Sequence, residues 1–209
     1  MPVRERESFL DIALTRLRQH PPPFDAPRGD HDLNPDWLAA AGDPRPKAAA
    51  VLIPVIKRPD RLTILLTRRG SALRAHSGQI SFPGGKVDPG DVSPWATAMR
   101  EAQEEIGLDE HFVDLLGYGD PYRSTSGYIV TPVVGFVREG FRFALNPFEV
   151  AEAFEVPASF LMDPANHEIQ VRDWNGRLRQ YYAMPYERHY IWGVTAGILR
   201  NLYERLYRP

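Results

Sequence analysis

The sequence predicts a mixed α/β domain of the α+β type, a mixed sheet with helices packed on it, and three observations carry that expectation. Strand-like runs outnumber helical ones and do not alternate with them as a doubly wound sheet requires. Twenty prolines and 16 glycines cut the chain into short elements, which suits strands and loops better than a helical bundle. An apolar content of 43% with 11% aromatics supports an ordinary core, and 209 residues fit one domain with an extension.

The elements follow in order. Glu5 to His20 carries Phe9, Ile12, Ala13 and Leu17 at helical spacing, which predicts an N-terminal helix. Pro21, Pro22, Pro23 and Pro27 end it and form a stiff linker, and Asp30 to Pro46 reads as irregular. Residues 1–46 are therefore expected to form an extension, and residues 47–209 the main domain. Ala48 to Ile56 is an apolar run typical of a buried strand, and Leu62, Ile64 and Leu66 alternate with Thr63, Leu65 and Thr67 as in a second. Gln79 to Phe82 reads as a short third strand stopped by Pro83, Gly84 and Gly85.

Ser93 is placed as an N-cap, Pro94 at the first helical position and Gly107 beyond the C-terminus, which frames a helix over Trp95 to Ile106. Phe112 to Tyr118, Tyr128 to Val137 and Phe141 to Phe143 are expected as strands. His167 to Asp173 and Leu178 to Ala183 flank Asn175-Gly176, the strongest short hairpin signal. Gly193 to Tyr207 closes the chain as a helix with Ala196, Leu199, Leu202 and Leu206 on one face.

Composition narrows the function. Twenty-five Lys and Arg against 27 Asp and Glu give a formal charge of −2, which supplies no broad positive field for nucleic acid. There is no cysteine, hence no disulfide, no thiolate nucleophile and no Cys-ligated zinc. No apolar run approaches the roughly 18 residues of a membrane span. Met1 to Arg18 is charged and periodic and does not read as a signal peptide, so a soluble cytoplasmic protein is expected.

The informative segment is Gly84 to Leu108. Along the helix, Trp95, Ala98, Met99, Ala102 and Ile106 share one arc, the core-facing stripe. Glu101, Glu104 and Glu105 share another, spaced i, i+3, i+4 with no lysine among them. Spacing alone leaves two readings open. One is a solvated acidic face with Arg100 and Glu104 as an i,i+4 pair. The other is a divalent-cation site, because clustered carboxylates suit hard cations that bind phosphate oxygens. The flank favours the second: Gly84-Gly85 permits close backbone approach to a ligand, and Asp88 and Asp91 add anionic oxygens.

Residues Gly85 to Leu108 resemble the box of the Nudix hydrolases, G-x5-E-x7-R-E-U-x-E-E-x-G-U with U apolar. Arg100, Glu101, Ala102, Glu104, Glu105, Gly107 and Leu108 match its second half. Asp91 stands at the first Glu, one residue farther from Arg100 than the general pattern. That variant is usual in the coenzyme A pyrophosphatase subgroup. The subgroup's upstream motif L-L-T-x-R-[SA]-x3-R-x3-G-x3-F-P-G-G is matched by Leu65, Leu66, Thr67, Arg69, Arg74, Gly78, Phe82, Pro83, Gly84 and Gly85. Gly70 stands where Ser or Ala is expected. Tyr190 to Ala196 is similar to the subgroup's C-terminal stretch.

The resemblance implies a Nudix fold, a mixed sheet sandwiched between helices, and hydrolysis of coenzyme A to 3′,5′-ADP and 4′-phosphopantetheine. It implies Mg²⁺ or Mn²⁺ on Glu101, Glu105 and Glu104, with the Gly85 carbonyl as a further ligand. Arg100 would orient a helix carboxylate. Arg69 and Arg74 would meet phosphates, with Gly84, Gly85 and His76 nearby. Asn146 to Pro157 resembles the family's loop after the box, so Glu149 in it would be the general base or an extra ligand, ahead of Glu152 and Glu155. Tyr122 and Tyr128 flank the loop Ser124 to Gly127, where stacking on adenine is open to them, but they are read as packing residues. The competing readings are hydrolysis of another nucleoside diphosphate derivative, such as ADP-ribose or NADH, or a nucleotide sensor that does not cut.

Overall fold

In a computed structural model, residues 3–24, 28–35, 46–70, 78–174 and 176–208 are described. The apolar run forms β2 (Lys47–Lys57), an unbroken strand despite Pro54, and it organises the main sheet. It pairs in parallel with β8 (Tyr128–Val137), from Lys47 opposite Tyr128 to Ile56 opposite Val137. Its other edge is shared by two strands. The C-terminal part pairs with β3 (Leu62–Arg69), Val55 opposite Ile64, and the N-terminal part with β5 (Gly84–Lys86), Ala50 opposite Gly85. β3 and β5 therefore leave β2 at different points, and the candidate site is built where they part.

The path of the sheet runs β1 (Arg28–Gly29), β7 (Tyr122–Arg123), β8, β2, β3, β4 (Ile80–Ser81). β6 (Val113–Tyr118) also pairs with β8, and β9 (Val150–Pro157) with β3. A second, antiparallel sheet holds β10 (Glu168–Trp174), β11 (Arg177–Tyr186) and β12 (His189–Trp192). Its β10–β11 hairpin is the one expected, with Trp174 opposite Arg177.

Alternation along β2 and β3 separates two cores. Ala50, Leu52, Ile56 and Leu65 pack against Ala98, Met99, Ala102 and Ile106 of α2 (Pro94–Ile106). Ile53, Val55, Ile64 and Leu66 join the core of α1 (Val3–Arg16) and α4 (Val194–Tyr207), through Phe9, Ala13, Leu17, Leu199 and Leu202. The mixed sheet is thus sandwiched between helices, as the sequence predicts. A short helix α3 (Ala158–Leu161) follows β9. None of the helices among the described residues is long and apolar enough to cross a membrane.

Four expectations are corrected. The first helix stops at Arg16 rather than His20, because Arg18 exchanges backbone hydrogen bonds of 3.0 and 2.8 Å with Tyr118. Gly84-Gly85 does not merely stop a strand but forms one against β2. Phe141 to Phe143 is not a strand: the two rings stack edge-on at 4.7 Å and cover the α2-side core. Most of the Asn146 to Pro157 loop is β9, whose register runs from Thr63 opposite Pro157 to Arg69 opposite Val150.

Candidate active site

The helix that carries the carboxylates is fixed at both ends by its own sequence. Ser93 caps it by accepting from the Ala96 N–H at 3.1 Å, and Pro94 begins it. Gly107 ends it at φ +68, where its N–H returns to the Gln103 carbonyl at 3.0 Å. A Cβ on Gly107 would lie 2.8 Å from the Ala144 Cβ, so glycine also admits the next loop. That loop is pinned on the last turn of α2: Ala144 N–H donates to Ile106 and Asn146 N–H to Glu105, each at 2.9 Å.

The three helix carboxylates differ in setting. Glu104 is exposed, Glu101 largely covered, and Glu105 buried with 3% of its surface accessible. This corrects the reading of one solvated acidic face. Burial pushes the Glu105 carboxyl up to about 8, with Glu101 and Glu149 adding to the rise and Arg69 and the Gly84 N–H opposing it. Burial likewise raises Glu101, against the pull of Arg100. Glu105 Oε2 is buried with no hydrogen-bond partner among the described residues. Gly85 lies so close to Glu101 that an added Cβ would collide with its carboxylate. Gly84 N–H reaches Glu105, and a Cβ on Gly84 would run into the Ala50 carbonyl at 2.5 Å.

Arg100 holds this side of the helix together. Its Nη1 donates to Glu101 Oε1 at 3.0 Å and Glu104 Oε2 at 3.3 Å, and its Nη2 to the Lys86 carbonyl at 3.1 Å. Nε and Nη2 also donate to the two oxygens of Asp91, at 3.2 and 3.1 Å. Asp91 accepts further from Thr97 Oγ1 and the Asp88 N–H, both at 2.9 Å. The Arg100 bonds and these neighbours bring its carboxyl down to about 2. Asp91, read from sequence as a source of anionic oxygen, is thus committed to orienting Arg100. Thr97 and Lys86 were missed, and only the spacing Asp91, Thr97, Arg100 around the helix start could have signalled them.

Arg69, at the end of β3, places Nη1 3.8 Å from Glu105 Oε1. Glu149 follows from the neighbouring register. Its carbonyl accepts from the Gly70 N–H at 2.7 Å, its Oε1 from Asn146 Nδ2 at 3.1 Å, and its charge acts on both Glu101 and Glu105. Arg69, Gly84, Gly85, Arg100, Glu101, Glu104, Glu105 and Glu149 are therefore gathered in one region. Arg74 and His76 lie outside the described residues.

Glu152 and Glu155 are not gathered there. Glu152 shares the opposite strand face with Phe154 and bonds Arg68, Arg188 and His189 at 3.0, 2.6 and 3.2 Å, and Arg188 above all, with His189, brings its carboxyl down to about 2. Glu155 is tied to Arg58 and to Thr63 at 2.6 Å. Tyr122 is 4% exposed and donates to Asp30 at 2.7 Å, so its ring is not available for stacking on a base. An open cleft of about 560 Å³ lined by Asp60, Arg61, Phe160 and Tyr186 lies at the other end of β3.

The donor set fits a hard divalent cation. Glu105 keeps a buried oxygen unpartnered beside the close approach of Glu101 to Gly85, and all the side-chain donors are oxygens. Among the described residues, no three His, Asp or Glu side chains stand converged on a single point. Arg100 donates to one oxygen of each of Glu101 and Glu104 and so fixes how these two carboxylates are turned.

Comparison with known proteins identifies the family. The NUDIX domain model matches residues 46–175. The chain is 43% identical over 158 residues to the Nudix hydrolase NudL of Photorhabdus laumondii, covering 76% of this chain and 84% of that one. It is 44% identical over 160 residues to NudL of Yersinia pestis, covering 77% and 80%. Those names state no substrate. Among solved structures, an Ap4A hydrolase of C. elegans aligns with a TM-score of 0.47 and 20% identity over 53% of this chain and 80% of that one. The chain belongs to the Nudix hydrolase family.

Proposed function

We propose that the chain hydrolyses the pyrophosphate bond of coenzyme A and its derivatives, releasing 3′,5′-ADP and 4′-phosphopantetheine. The supporting observation is the run Leu65, Leu66, Thr67, Arg69, Gly78, Phe82 to Gly85, which resembles the coenzyme A subgroup and delivers Arg69 and Gly85 to the acidic helix. Residues 47–209 form the catalytic unit in this reading, with residues 1–46 as an extension.

Glu101 and Glu105, with Glu104 and the Gly85 carbonyl, are the proposed ligands of Mg²⁺ or Mn²⁺. When bound, the cation would neutralise phosphate oxygens and acidify a water. The chain's own residues supply the rest. Arg100, fixed by Asp91, orients Glu101 and Glu104. Arg69 and Arg74 meet phosphate oxygens, because the guanidinium fork binds two at once. Glu149, held by Asn146, takes the proton from the attacking water at its carboxylate.

The test is a comparison of coenzyme A, 3′-dephospho-coenzyme A, ADP-ribose and NADH at saturating Mg²⁺ or Mn²⁺. Coenzyme A carries an extra phosphate, and one charge-assisted hydrogen bond contributes about 1.5–3 kcal/mol, roughly 10- to 150-fold in kcat/KM. Coenzyme A is expected to exceed its dephospho form by that factor. Equal use of the two, or preference for ADP-ribose or NADH, overturns the substrate assignment.

A further inference from the structure

Arg69 and Glu105 form an ion pair that leaves something over on each side. Their closest atoms are 3.8 Å apart, beyond hydrogen-bond range. Glu105 Oε2 and Arg69 Nε are both buried and have no hydrogen-bond partner among the described residues. A buried carboxylate and a half-buried guanidinium that each keep an unsatisfied atom are poorly matched as a permanent pair. Their neighbours show how a settled pair looks in this protein: Arg68 donates to Glu152 at 3.0 Å.

The backbone explains why Arg69 differs from Arg68. The ladder between β3 and β9 slips between these two residues, a bulge that re-aims the second side chain. Arg69 is then held at both backbone groups, its N–H donating to Gln79 at 3.0 Å and its carbonyl accepting from Gly78 at 3.2 Å. The backbone is fixed while the long side chain keeps its rotatable bonds.

We propose that Arg69 stands beside Glu105 in place of the divalent cation, and that cation binding releases its guanidinium to the anionic oxygens of the substrate. The idea rests on the metal-dependent reading above. It adds that one cationic group serves two anions in turn, so that cation and substrate each help the other to bind. The coupling is reciprocal: a residue that competes with the cation for Glu105 lowers cation affinity, and a substrate that draws the residue away raises it.

The experiment measures Mn²⁺ affinity directly, by titration calorimetry or electron paramagnetic resonance, with no substrate present. Arg69→Gln keeps much of the side chain and removes the competing charge. It is expected to tighten Mn²⁺ binding at least about fivefold, the lower end of ordinary coupling between sites, and to raise KM for coenzyme A. Arg68→Gln removes the same charge one residue away and controls for long-range attraction; it is expected to change Mn²⁺ affinity less than about twofold. Arg69→Lys, which retains the charge, covers the case in which Arg69→Gln fails to fold and is expected to bind Mn²⁺ close to the wild type. In a Glu105→Gln background, Arg69→Gln should no longer tighten Mn²⁺.

Unchanged or weaker Mn²⁺ binding in Arg69→Gln, or an equal gain in Arg68→Gln, overturns the exchange while leaving the metal-dependent reading intact. Failure of the wild type to bind Mn²⁺ or Mg²⁺ overturns both.

Discussion

At the scale of single residues, the acidic helix shows how similar side chains come to differ. Glu101, Glu104 and Glu105 share a helix face by spacing, but the site depends on their unequal exposure, which spacing does not encode. Asp91 is a second case. It holds Arg100 through two hydrogen bonds, and its carboxyl is brought from 3.8 down to about 2. A folded value below the unfolded one gives stability that is present above the ordinary carboxylate range and lost as pH falls toward about 2. At about 1.4 kcal/mol per unit, Asp91 contributes up to about 2.5 kcal/mol at neutral pH. Asp91→Asn should lower stability by about that amount at pH 7 and leave little difference near pH 2, in denaturant titrations at both. Released from Asp91, Arg100 should orient Glu101 less well, so turnover should fall as well. An undiminished pH 7 stability in Asp91→Asn would show that Arg100 does not need this partner.

At the scale of elements, local signals were legible where a residue had one stereochemical task. Ser93, Pro94 and Gly107 marked both ends of α2, and Asn175-Gly176 marked the hairpin. β9 was not legible because Glu152 and Glu155 interrupt it, and their charges are satisfied by Arg68, Arg188 and Arg58 from distant parts of the chain. Phe141 to Phe143 read as a strand because alternating aromatics mimic one, whereas the rings are used to cover the core. The site depends on such a junction at Gly107. Gly107→Ala meets both a positive φ and the Ala144 Cβ at 2.8 Å. It is expected to cost about 1–3 kcal/mol and to displace the loop that carries Glu149. Thermal melting checks the first effect and kcat the second; an unchanged kcat would separate this loop from catalysis.

At the scale of the whole molecule, the site exists because the sheet is held from both sides. β2 anchors β3 and β5 at different points, and α2 presses on one face while α1 and α4 cover the other. Phe9 of α1 is 2% exposed in that second core, so Phe9→Ala should destabilise the protein by about 3–5 kcal/mol. A small loss in denaturant titration would mean that the extension rests on the domain without supporting it. The family was legible because its motif is continuous along the chain between Leu65 and Leu108. The placement of Glu149 and Asn146 was less so, because strand pairing and backbone bonds assemble them from a distance. The most direct test of the central claim is the turnover of coenzyme A at saturating Mg²⁺ by the wild type and by Glu105→Gln, with products separated by chromatography. The wild type should give 3′,5′-ADP and 4′-phosphopantetheine in equal amounts, and the variant should be at least ~100-fold slower with its fold kept. Near-normal turnover in Glu105→Gln, or no cleavage of coenzyme A by the wild type, would contradict the account.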